Sequence, residues 1–62
     1  MKTFIIIFKV CEAKHQPNNF IPPIYSTITK VCLTFASAEE LFYREFPFPQ
    51  FKYRPTQIIQ LD

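Results

Sequence analysis

Apolar and polar residues alternate along two stretches of the chain, and the alternation predicts a sheet. In "KTFIIIFKVC", residues 2–11, the even positions Phe4, Ile6, Phe8 and Val10 are all apolar. Thr3, Lys9 and Cys11 fall on the odd positions with Ile5 and Ile7. β-branched and aromatic residues at period two read as a strand whose even face meets the core. In "YSTITKVCLTF", residues 25–35, the odd positions Val31, Leu33 and Phe35 are the apolar ones, and Ser26, Lys30 and Thr34 point the other way. Opposed residues of a hairpin share a face, so even residues of the first strand should meet odd residues of the second. That predicts Phe4 opposite Leu33, Ile6 opposite Val31 and Phe8 opposite Thr29. The other face then gathers Ile5, Ile7, Ile28 and Cys32 around Lys9 and Lys30, and is more apolar than a solvated face should be.

The stretch "FASAEELFYREFPFP", residues 35–49, changes period. Ala38, Leu41, Phe42 and Glu45 follow the spacing of one helical face. Ser37 reads as the N-cap and Glu40, three residues on, completes a capping box. Pro47 disfavours the helical region for residue 46, so the helix should end there after about nine residues. Two turns cannot stand alone. Leu41, Phe42 and Phe46 must therefore pack on the even face of the first strand. Residues 12–24, "EAKHQPNNFIPPI", hold three prolines and two asparagines and read as a long connection rather than a tight turn. Residues 51–61, "FKYRPTQIIQL", favour extended structure, with Pro55 making the strand an edge or interrupting it there. The expected fold is α+β: a single domain over residues 1–62, with an antiparallel sheet of about three strands and one short helix on one face, in the order β-β-α-β.

Composition sharpens this picture. The 62 residues are 48% hydrophobic and include eight Phe and three Tyr. A chain this short buries a modest share of its surface and depends on a dense core. Glycine is absent, which removes the phosphate-cradling loops and leaves Asn18 and Asn19 as the candidates for any left-handed position. No cofactor is expected. The apolar run Phe4–Phe8 is too short for a signal peptide or a membrane span, so a cytoplasmic location is the default. On that reading Cys11 and Cys32 are free thiols.

No catalytic constellation emerges. His15 is the single histidine, Glu39 and Glu40 are accounted for by the helix start, and two Cys with one His lack the count of a structural zinc site. The informative features are surfaces. The segment "NNFIPPIY" places Phe20, Ile21, Ile24 and Tyr25 in a proline-stiffened stretch, and stiffening lowers the ordering cost of binding. These four, with Ile5, Ile7 and Ile28 of the second face, are the candidate partner-binding residues. The alternative is a nucleic-acid module using Lys9, Lys30, Lys52 and Arg54. In "QFKYR", residues 50–54, aromatic and basic side chains interleave as in surfaces that stack bases and hold phosphates. The net charge of +2 is mild and the basic residues are scattered in sequence.

From "TKVCLTFASAEELFYREFPFPQFKYRP", residues 29–55, the layout resembles that of very small phage-encoded regulators, among them inhibitors of host RNA polymerase. The resemblance lies in arrangement: strand, strand, a helix opened by a polar cap and acidic residues, then a final strand. It implies a phage or mobile-element protein that binds a larger host protein, with an anti-defence role in view. The proline-rich first connection and the lack of glycine depart from that layout. The expected function is thus non-enzymatic: a small inhibitor or modulator of a larger protein partner, and a homodimer through its second apolar face.

Overall fold

The structure is a computed structural model and describes residues 1–62. Strand β1 (Lys2–Cys11) is central in a three-stranded antiparallel sheet of order β4-β1-β5, with β4 at Ile24–Cys32 and β5 at Arg54–Gln60. Strands β2 (Lys14–Gln16) and β3 (Asn19–Ile21) form a separate two-stranded sheet. Helix α1 (Phe35–Glu45) covers one face of the larger sheet. The protein is a small α+β fold, as the alternation predicts.

The even face of β1 is the core. Phe4, Ile6 and Phe8 are buried, and Ala38, Phe42 and Cys32 complete the buried set. Val10, Ile28, Leu41, Phe46, Tyr53 and Ile58 pack around them. Four rings interlock at one end: Phe8 lies 5.1 Å from Phe42, 5.2 Å from Phe46 and 5.6 Å from Tyr53, centroid to centroid. Offset and edge-to-face pairs at these separations add to simple area burial. This is why three turns of helix are so aromatic: a few large rings must cover a whole sheet.

The hairpin register differs from the expected one by three residues. Phe4 is opposite Lys30, Ile6 opposite Ile28 and Phe8 opposite Ser26. Even residues therefore meet even residues, and the faces of β4 are exchanged. Ile28 and Cys32 turn inward, while Val31 and Leu33 turn outward and stay exposed. The reason lies beyond the strand itself. Only Leu33 and Thr34 separate β4 from the helix, so the chain must leave β4 on the helix-covered side. Cys32, the smallest apolar residue of that stretch, fits beneath the helix start, where its thiol lies 3.5 Å from the Thr34 carbonyl. Phe35 is half exposed and touches the core only through the edge of Phe4, at 4.9 Å.

The helix begins earlier than its sequence signal suggests. Thr34, with extended φ −140° and ψ 163°, is the N-cap. Its Oγ1 accepts from the Ser37 amide at 3.1 Å and donates to Ser37 Oγ at 3.0 Å. Ser37 is thus the third helical residue, and Glu40 does not close a capping box. Phe46 ends the helix, as the following proline requires, with its amide bonded to the Phe42 carbonyl at 2.9 Å. Thr34→Ala is accordingly expected to cost about 1 kcal/mol. Ser37→Ala should stay within about 0.5 kcal/mol, as is usual for surface changes. Urea melts of the two variants check the assignment.

Residues 12–24 are not a loose connection. They form a β-arm that continues the β1–β4 hairpin past two breaks, at residues 12–13 and at Pro22–Pro23. Gln16 pairs with Asn19 across a two-residue turn of Pro17 and Asn18. No residue of the chain has positive φ, so neither Asn18 nor Asn19 is left-handed. The turn uses the pre-set φ of Pro17 instead, as in type I geometry. Cys11 and Cys32 lie at opposite ends of the hairpin and are free thiols, one exposed and one buried.

Candidate interaction surfaces

Three surfaces stand out: the arm, the sheet face without a helix, and a cationic cleft between them. All six strand residues of the arm are exposed. No element of the body approaches it. The molecule is long and thin as a result, with Cα extents of 48 × 26 × 12 Å. Within the arm His15 pairs with Phe20, their rings 4.9 Å apart. Ile21 follows, and beyond the two prolines Ile24 and Tyr25 open β4. Phe20, Ile24 and Tyr25 are each at least half exposed, and Ile21 is exposed too. Phe20 and Ile21 therefore lie on the projecting arm, and Ile24 and Tyr25 at the adjoining start of β4, rather than in a loop tucked over the core.

The open sheet face carries the odd residues. Ile5 pairs with Thr29 on one side and Ile59 on the other, and Ile7 with Thr27 and Gln57. Both isoleucines are half buried by these neighbours. Ile28, grouped with them from the sequence, lies on the opposite face against the core, because the register shift inverts the parity of β4. Val31, Ile59 and Leu61 are exposed and take its place. Val31 was legible only through the correct register. No part of the chain forms a second layer here: the arm, which could have folded over this face, extends away from the sheet.

The basic residues are scattered in sequence but partly gathered in space. Lys9, Glu12, Lys52, Arg54 and Thr56 line a cleft of about 290 Å³, with no hydrophobic residue among them. A bulge creates it. β5 pairs with β1 in one register from Phe4 to Ile7 and in another from Phe8, where Pro55 is the partner. Thr56 is the extra residue, and its hydroxyl donates to the Ile7 carbonyl at 3.0 Å. Without the bulge Arg54 would sit across from Val10, on the core side. With it, Arg54 sits directly opposite Lys9 on the open side. The same shift sends Tyr53 into the core, where it meets Phe46 at 5.3 Å and Phe51 at 5.4 Å. The interleaved "QFKYR" segment therefore resolves into aromatic core residues on one side and cations on the other. Lys30 is not part of the cleft. It faces the helix side and is paired with Glu45.

Lys9 is held between Glu12, at 3.3 Å, and the ring of Tyr25, 6.0 Å from its ammonium to the centroid. No three His, Cys, Asp or Glu side chains converge anywhere, and no helix is long and apolar enough to cross a membrane. No protein-family model matches the chain, and no curated protein or solved structure matches it.

Proposed function

We propose that this chain is a non-enzymatic interaction protein that binds and modulates a larger protein through the β2–β3 arm and the adjoining open sheet face. The observation that carries the reading is the arm itself. An isolated two-stranded hairpin is marginally stable in water, yet this one holds Phe20 and Ile21 away from the body's core, with Ile24 and Tyr25 exposed at the adjoining start of β4. Contiguous exposed apolar surface marks interaction sites. Pro17, Pro22 and Pro23 restrict the arm before binding and so reduce the ordering cost of the bound state. The inhibitor form of this reading, with a host or defence protein as the target of a phage or mobile-element product, is supported by the resemblance in layout. A second copy of the chain is the other occupant of the open face, and would make the protein a homodimer.

Capture from cells of the natural host, compared between wild type and Phe20→Ala, tests the proposal. Hot-spot aromatics cost about 2 kcal/mol or more when truncated, roughly a 30-fold loss of affinity. Phe20 stacks only on His15, so the melting temperature should not change. Equal capture by a Phe20→Ala protein of normal stability would count against the arm. The nucleic-acid reading keeps one supporting observation, the meeting of Lys9, Lys52 and Arg54. It loses Phe51 and Tyr53 as a stacking platform and Lys30 as a backbone contact.

A further inference from the structure

We infer that the cleft between β1 and β5 is a binding site for a phosphate monoester, with Lys9, Lys52 and Arg54 as its ligands. The inference stands independently of the partner-binding role of the arm. Its first support is an unsatisfied charge arrangement. Lys9 and Arg54 are direct cross-strand partners, and like charges in that position destabilise a sheet. Lys52, from the irregular segment that precedes β5, brings a third cation to the same walls. Glu12 is the single acidic group of the cleft and bonds only Lys9. Lys52 and Arg54 have no acidic partner anywhere in the chain.

The second support is that the arrangement is built by the backbone. Arg54 reaches this side only because Thr56 is inserted as a bulge, and its hydroxyl bond to Ile7 holds the bulge in place. Bulges re-aim side chains in this way near binding sites. An unbulged β5 would have separated Arg54 from Lys9 and removed the repulsion.

The chemistry of the walls selects the ligand. Four of the five residues of the cleft are charged and the fifth is a threonine, so charge complementarity selects its ligand. Three cations and one carboxylate leave a net charge of +2 (3 − 1), from the residues lining the cleft. A phosphate monoester carries about −1.5 to −2 at neutral pH and three strong acceptor oxygens. Arginine offers a planar fork to such oxygens, and lysines add point charges. A diester carries a single charge and would leave one cation unmatched. The Thr56 hydroxyl proton is engaged by Ile7, so Thr56 lines the site without donating to the ligand. Exposed cations are screened by salt over about 8 Å at physiological ionic strength, so direct contact must supply the affinity.

The test is a titration of the full-length chain followed by amide chemical shifts, at constant ionic strength and pH 7.5. The probes are phenyl phosphate, inorganic phosphate and a dinucleotide monophosphate diester. Saturable shifts around residues 9, 52, 54 and 56 are expected with phenyl phosphate. Arg54→Gln should weaken them about tenfold, the loss of one charge-assisted contact. Glu12→Gln, which releases Lys9, should tighten binding. Both side chains are on the surface, and the amide spectrum itself reports whether each variant keeps its fold. No saturable shift, or an unchanged affinity in Arg54→Gln, would overturn the site. Weaker binding in Glu12→Gln would contradict a site that works by net charge. Binding of inorganic phosphate alone would exclude the ester, and equal binding of the diester would reassign the cleft to a nucleic-acid backbone.

Discussion

Phe42→Ala should remove much of this protein's stability and lower its urea midpoint sharply. Phe42 is fully buried and touches Phe8, Tyr43 and Phe46, with ring centroids 5.1 to 5.3 Å away. Only six residues are buried in all, so no second cluster can compensate. Truncating a buried Phe to Ala typically costs about 3 to 5 kcal/mol. A domain of this length has a total stability on the order of 3 to 9 kcal/mol. The loss therefore removes most of what holds the helix to the sheet, and eleven helical residues do not persist alone in water. Circular dichroism at 25 °C, with a urea titration beside wild type, reads the effect. A Phe42→Ala protein with wild-type helicity and an unshifted midpoint would mean that the helix does not dock on β1 as described.

A second large effect should separate two neighbouring residues. Ile6→Lys is expected to abolish folding, and Ile7→Lys to be tolerated. Ile6 is fully buried between Ile28 and Ile58 on the helix side of the central strand. A lysine there would bury an ammonium with no acidic partner, and an unpaired buried charge costs several kcal/mol. Ile7 is on the other side, flanked by Thr27 and Gln57, with no layer above it. A lysine stem can lie along those neighbours while its ammonium reaches water, at a cost of about 1 kcal/mol. If a second copy covers the open face, Ile7→Lys should also convert a sedimenting dimer to a monomer. Equal destabilisation by the two substitutions would show that both faces of β1 are covered.

The sequence made some of this legible and hid the rest for identifiable reasons. β1 is plain, because its even positions after Lys2 are uniformly apolar and its centre is held on both sides. The helix was plain in its buried face, Ala38 to Phe46, and in its stop at Pro47. β4 is ambiguous in sequence because apolar residues follow both parities: Val31, with Leu33 just past the strand, on one, and Ile28 and Cys32 on the other. Alternation cannot choose between them. The short link through Thr34 to the helix decides, and that is a tertiary constraint. The cap is hidden for the same reason, since Ser37 offers a stronger local signal than Thr34, yet Thr34 is the residue that caps the helix. The arm looks like a loop in sequence because three prolines and two asparagines signal irregularity; their spacing instead leaves two three-residue strands intact around Pro17 and Asn18. Of the candidate residues, Phe20, Ile21, Ile24 and Tyr25 needed only local sequence. The meeting of Lys9 with Arg54 depended on a bulge at Thr56, and no residue pattern announces one in a stretch that also contains Pro55.

The central claim is that the arm is the partner-binding element. Amide hydrogen exchange, measured by mass spectrometry on the free chain and on its complex with the captured partner, tests it most directly. The free arm should exchange rapidly, since its few ladder bonds are open to water and little else holds it. In the complex, protection should rise over residues 14–25 and extend to the odd-face strands, leaving the helix at its free-state rate. Protection that rises over residues 35–45 while the arm continues to exchange freely would contradict the account.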